Sequence, residues 1–178
     1  MIDAGWAADT DFTRMVFQPW TDNFKELHMV GASYSTRLGT VNELLGNSAF
    51  GSYGDNLTVE AEIGLSDRFG KENLGEVWTA LYLRYDGFQW NDKVYTTLAL
   101  DTGVSMLTDT SKFELSRDSG GQSSELLHYL GPEVTFADPD NKDLEWVFRL
   151  HHRSGVFGVI DGVRAGSTFA SVGVRIRF

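Results

Sequence analysis

The chain contains no cysteine, which excludes disulfides, thiolate metal centres and a cysteine nucleophile. It also lacks any apolar run approaching the ~20 residues that a transmembrane helix needs. No signal-peptide core opens the sequence, as expected of a chain that starts at a mature terminus. Proline is scarce, with 3 residues, and cations are few, 15 against 25 acidic residues. The net charge of −10 argues against nucleic-acid binding through a basic patch. Glycine, at 19 residues, and aromatic side chains, at 13%, are the abundant types. Composition alone therefore describes an acidic β protein, a single domain over residues 1–178. A transmembrane barrel, however, carries its membrane signal in alternation rather than in runs.

Alternation with a period of two recurs along the chain. Leu57–Ser66 sets Leu57, Val59, Ala61, Ile63 and Leu65 against Thr58, Glu60, Glu62, Gly64 and Ser66. Val77–Asp86, Val94–Ser105, Leu126–Phe136 and Leu144–Ser154 follow the same rule. The last strand sets Ala170, Val172, Val174, Ile176 and Phe178 against Ser171, Gly173, Arg175 and Arg177. Lys25–Arg37 reads as a further strand and Asp11–Pro19 as the first. The total is eight, an even number that closes an up-and-down barrel. Within the long connection 40–56, VNELL reads as a short helical turn.

The polar faces of these strands collect Arg37, Arg84, Arg149, Arg153, Arg175 and Arg177 against Glu60, Glu62, Asp86, Asp101, Glu133 and Glu145. Equal numbers of each sign suit an enclosed interior, where unpaired charge is very costly. Arginine is the cation that pairs with carboxylates in two-pronged geometry. The opposite faces of the clearest strands carry no Asp, Glu, Lys or Arg; only His128 and Pro132 are out of place there, and Pro132 predicts a bulge. An apolar outside around a charge-paired inside predicts an all-β, eight-stranded antiparallel transmembrane barrel of the bacterial outer membrane. Phe178 adds to this, since a C-terminal aromatic strand resembles the signature of such proteins. A soluble sheet, or a soluble lipocalin-like barrel carrying an apolar ligand, would instead put the arginines in water. Eight strands leave room only for side chains inside, so a diffusion pore is disfavoured.

Chemistry concentrates at the end of the strand Leu144–Ser154. His152 and Ser154 share the outward parity of Trp146, Phe148 and Leu150, and a His beside a Ser is the pairing that activates a hydroxyl for acyl transfer. His151 and His152 point to opposite faces and cannot chelate one metal. His28 and His128 stand alone and read as interfacial or structural. Glu60 and Glu62 share a face but read as interior ion pairs rather than as an acid/base couple. No cofactor or metal site is expected.

The segment 125–158 (ELLHYLGPEVTFADPDNKDLEWVFRLHHRSGVFG) resembles the outer-membrane lipid A 3-O-deacylases. That family shows a strand ending in FA, then R-x-x-H-x-S-N and a glycine. The matching positions here are Phe136, Ala137, Arg149, His152, Ser154 and Gly158. Weaker similarity in strand pattern covers most of the chain. The resemblance implies a barrel whose site faces the outer leaflet, where Ser154 attacks an ester-linked acyl chain of lipid A with His152 as base. It also implies a periplasmic C-terminus, lipopolysaccharide as the lipid partner, and a loop 155–167 outside the cell. Two positions depart from the family. Gly155 stands where the family has an asparagine linked to the oxyanion, and Thr168 stands where it has the glutamate of the triad. Asp161, in the loop, is the alternative carboxylate. The competing function is a non-catalytic barrel that acts structurally or through partners of its loops.

Overall fold

The computed structural model describes residues 1–18, 23–46 and 50–178. Its eight strands pair in chain order and the last closes on the first, making an antiparallel barrel. The strands are β1 (Ile2–Ala8), β2 (Phe24–Thr40), β3 (Leu57–Gly70), β4 (Leu74–Tyr85), β5 (Tyr95–Leu107), β6 (Leu126–Asp138), β7 (Asn141–Ser154) and β8 (Gly166–Ile176). Among the described residues, three short α-helices lie in the connections, α1 (Phe12–Phe17), α2 (Val41–Leu45) and α3 (Lys112–Arg117), with one 3₁₀ turn at Gly51–Tyr53. The VNELL turn is α2, and its start is a capping box in which Thr40 and Glu43 satisfy one another's backbone N–H groups.

The expected first strand is corrected. Phe12–Phe17 is α1, because Phe12, Met15 and Val16 follow the i, i+3, i+4 spacing of a helix face; Pro19 lies outside the described residues. The true first strand, Ile2–Ala8, alternates too, with Asp3 inward and Ile2 and Trp6 outward. All of its remaining residues are Ala or Gly, which give little hydrophobic contrast. The expected bulge at Pro132 is also corrected. The β6–β7 ladder lapses at Gly131 and Pro132, yet Leu130 faces His152 and Glu133 faces Arg149 in one unbroken register. Proline costs the ladder its hydrogen bonds without adding a residue.

The faces are sorted as a lipid-facing barrel demands and opposite to a lipocalin-like one. Outward residues such as Ile63, Leu65, Leu81 and Leu98 are more than half exposed, while Arg68, Arg149 and Arg153 are almost completely buried. The interior holds two ionic clusters. In the first, Glu133 accepts from Arg84 at 2.9 Å, Arg149 at 2.7 Å and Arg175 at 2.7 Å. Glu62 takes Arg149 at 3.1 Å, Glu60 takes Arg84 at 3.0 Å, and Glu145 takes Arg175 and Arg177. Glu60 and Glu62 are thus each paired with an arginine. In the second cluster, nearer the β7–β8 loop, Glu76 pairs with Arg68 at 2.6 Å and lies 2.9 Å from His151, while Glu114 pairs with Arg153 at 3.0 Å. Glu114 comes from α3, which folds back into the mouth of the barrel. Arg37 is not interior: it is more than half exposed and pairs with Glu43 outside.

Aromatic bulk fills the space between the clusters. The Trp78 and Tyr82 side chains both donate to Glu62, at 2.9 Å each, and Tyr129 packs against Trp78. Trp78 lies across Gly64 so closely that a Cβ there would collide with the indole.

Candidate functional site at the outer end of β7 and β8

The site is set by register. His152 on β7 faces Thr168 on β8, and Ser154 faces Gly166. Outward parity turns His152, Ser154 and Thr168 to the same side of the wall. His152 Nδ1 and Thr168 Oγ1 lie 2.8 Å apart. All three residues line a cavity of about 660 Å³ at the barrel's rim, together with Phe12, Arg117 and Arg164. Ser154 is half-buried and forms no side-chain hydrogen bond among the described residues, so it is not tied to His152 in this state.

The loop from 155 to 165 closes over this rim. Val156 (φ 50°), Phe157 (φ 58°) and Asp161 (φ 49°) occupy the left-handed region, an uncommon and costly conformation for non-glycine residues and one that clusters at functional sites. The Val156 and Phe157 N–H groups have no acceptor among the described residues, whereas those of Gly158 and Ile160 both reach the Gly155 carbonyl. A Cβ at Gly155 would collide with the Val163 carbonyl, so this loop cannot take the asparagine of the resembling family at that position. Asp161 is engaged elsewhere, accepting from Ser124 Oγ at 2.5 Å, and does not serve as the alternative carboxylate. The loop is held down by Asp118, whose carboxylate accepts from the N–H groups of Gly120, Gln122, Arg164 and Ala165. These four donors hold its pKa below the usual aspartate value.

No family model matches the chain, and no curated protein does. Among solved structures, the outer membrane enzyme PagL superposes with a TM-score of 0.57 over 100% of both chains, at 12% identity. The chain has the barrel fold of PagL. At that identity the likeness shows the fold alone.

The roles of two residues at this rim escaped sequence reasoning. His128 on β6 is the direct cross-strand neighbour of Ser154, with its own Nε2 2.8 Å from Thr102 Oγ1. Opposite residues on one face come within ~5 Å at Cβ, so Ser154 has imidazoles on two sides. Only the β6–β7 register could have revealed this. Phe12 is the second: its ring stacks on His152, with centroids 4.5 Å apart. Its signal was the helical spacing of Phe12, Met15 and Val16, which brings α1 down against the outer wall.

Proposed function

We propose that this chain is a bacterial outer-membrane barrel that binds lipopolysaccharide-type lipid at its outer rim and hydrolyses one ester-linked acyl chain, with Ser154 as nucleophile and His152 as base. The observation that carries this reading is the shared cavity of Ser154 and His152, with His152 Nδ1 2.8 Å from Thr168. Those positions correspond to the Ser, His and acid of the lipid A 3-O-deacylases. Placement in the membrane is supported by the exposed apolar wall around a paired ionic interior and by the likeness to an outer membrane enzyme.

With its Nδ1–H donated to Thr168, His152 presents Nε2 as the unprotonated nitrogen. Substrate binding brings Ser154 Oγ to that nitrogen and to the ester carbonyl. His152 takes the hydroxyl proton as the C–O bond forms, and returns it to the departing alkoxide as the ester bond breaks. Water then releases the fatty acid from Ser154 by the same proton path. The unpaired Val156 and Phe157 N–H groups are the donors available to the oxyanion in place of an asparagine side chain. Thr168 orients the imidazole but lends no charge to the imidazolium, and loss of the acid in such triads costs ~10⁴ in rate. The enzyme is therefore slow.

Incubating the folded protein with lipopolysaccharide in detergent tests this directly: 3-hydroxy fatty acid is released, and Ser154→Ala stops it. A folded protein that releases none sinks the reading. Thr168 favours a second one, a non-catalytic lipid-binding barrel, in which replacing Ser154 and His152 leaves lipid binding unchanged.

A further inference from the structure

Two imidazoles flank Ser154, and the register brings His128 nearer to it than His152. His128 on β6 stands directly across from Ser154, in a pair whose Cβ atoms lie ~4.5–5.5 Å apart. His152 is two residues back along β7, one pleat or ~7 Å away. His128 shares the outward parity of Leu126 and Leu130, so all three polar side chains project from one side of the wall.

The two rings are held alike. Nδ1 of His152 lies 2.8 Å from the Thr168 hydroxyl, and Nε2 of His128 lies 2.8 Å from the Thr102 hydroxyl. The other nitrogen of His128, Nδ1, has no hydrogen-bond partner among the described residues. Phe12 covers one face of the His152 ring, whereas no aromatic ring among the described residues stacks on His128. In a Ser-His-acid triad the carboxylate makes one imidazole dominant, because its charge stabilises the imidazolium. Here neither imidazole is paired with a carboxylate among the described residues, and each has a threonine instead. With equal support behind the two rings, distance decides between them, and it favours His128.

We propose that His128 is a second general base for Ser154, working in parallel with His152. This role rests on Ser154 being the nucleophile, as in the reading above. With Nε2–H donated to Thr102, His128 presents Nδ1 unprotonated. Nδ1 takes the Ser154 hydroxyl proton as the oxygen–carbon bond forms, and returns it to the departing alkoxide as the ester bond breaks. Water follows the same path when the acyl group leaves Ser154, which recovers its proton from His128.

The two arrangements differ in how losses combine. Residues that act as one unit cost about as much singly as together. Parallel bases cost little singly and much together. The folded barrel in detergent is treated with an alkyl fluorophosphonate, which Ser154 attacks at phosphorus with loss of fluoride. Phosphonylation of Ser154 is timed by mass spectrometry, and fatty acid release from lipopolysaccharide is followed in parallel. His152→Gln and His128→Gln each slow labelling by less than about tenfold, and the two together slow it by about 10²–10⁴, the usual worth of a general base. Glutamine still offers Thr102 a hydrogen bond, so the loss reads the base rather than the anchor. His128→Asn takes its place should the glutamine variant lack the folded, heat-modifiable band. Either single variant as slow as the double one overturns the proposal and leaves the hydrolase reading standing. Labelling with the two-base pattern but without fatty acid release upholds His128 and rejects only the lipopolysaccharide substrate. A folded wild type that is not labelled at Ser154 overturns both.

Discussion

The two faces of the wall formed by β5 to β8 handle polar groups in opposite ways. Inward, Arg149, Arg153 and Arg175 each meet at least one carboxylate within 3.2 Å, and Glu133 alone gathers three guanidinium groups. Outward, His152 meets Thr168 and His128 meets Thr102, both at 2.8 Å, so each imidazole is held by a hydroxyl. A charge enclosed in low dielectric must be matched by charge, whereas a neutral imidazole at a rim needs only a hydrogen bond. The ion-paired clusters are thus held by several partners at once. Asp101, which was expected among the paired charges, is instead buried with no ion pair among the described residues. The outside is loosely held and open to change.

This contrast is broken most severely from within. Glu133→Ala leaves Arg84 without one of its two carboxylates and deprives Arg149 and Arg175 of one each. Stranding buried charge costs about 3–5 kcal/mol. Loss of the heat-modifiable folded band in detergent gels, or a large drop in the urea midpoint, is the expected outcome; unchanged stability would mean that water reaches this cluster. Next comes Phe12→Ala, which uncovers the His152 ring while leaving the barrel intact. Carbethoxylation of His152, followed by mass spectrometry, speeds up severalfold, whereas an unchanged rate would show that α1 does not shield it.

The smallest effect concerns the loop. The folded pKa of Asp118 is depressed, so its contribution is present above the unfolded value of ~3.9 and is lost as pH falls through the lower, folded value. Protection of residues 155–165 from proteolysis should hold from pH 7 to about 5 and fail only below about 4. Asp118→Ala should expose the loop at every pH while the barrel stays folded. Nicking of the wild-type loop already at pH 6 would remove Asp118 as its anchor.

Strands with apolar residues on one face and charge on the other were legible from the sequence, and β3 to β8 lie where their alternation puts them. The outer ends of β3 and β4 were less so. Arg68 and Glu76 lie beyond the strand limits read from alternation, because Asp67 and Gly75 interrupt the apolar face there. Glu114 was invisible as an interior group, since it sits in a segment with loop composition. Only the folding of α3 into the barrel mouth brings it to Arg153 and Arg68. The pairing of His152 with Thr168 could be reached by aligning the strand ends. The approach of His128 to Ser154 and of Phe12 to His152 required the closed barrel, because each joins segments whose spacing in sequence carries no periodic signal.

The account stands or falls on the outward face lacking only a charge. Thr168→Glu restores a carboxylate beside His152 without touching the ionic interior. Release of 3-hydroxy fatty acid from lipopolysaccharide, compared for wild type, Thr168→Glu and Thr168→Glu with Ser154→Ala, is the direct measurement. The account predicts slow release by wild type, an increase of about 10²–10⁴ with glutamate, and none without the serine. A folded Thr168→Glu protein no faster than wild type, or release that persists without Ser154, would contradict it.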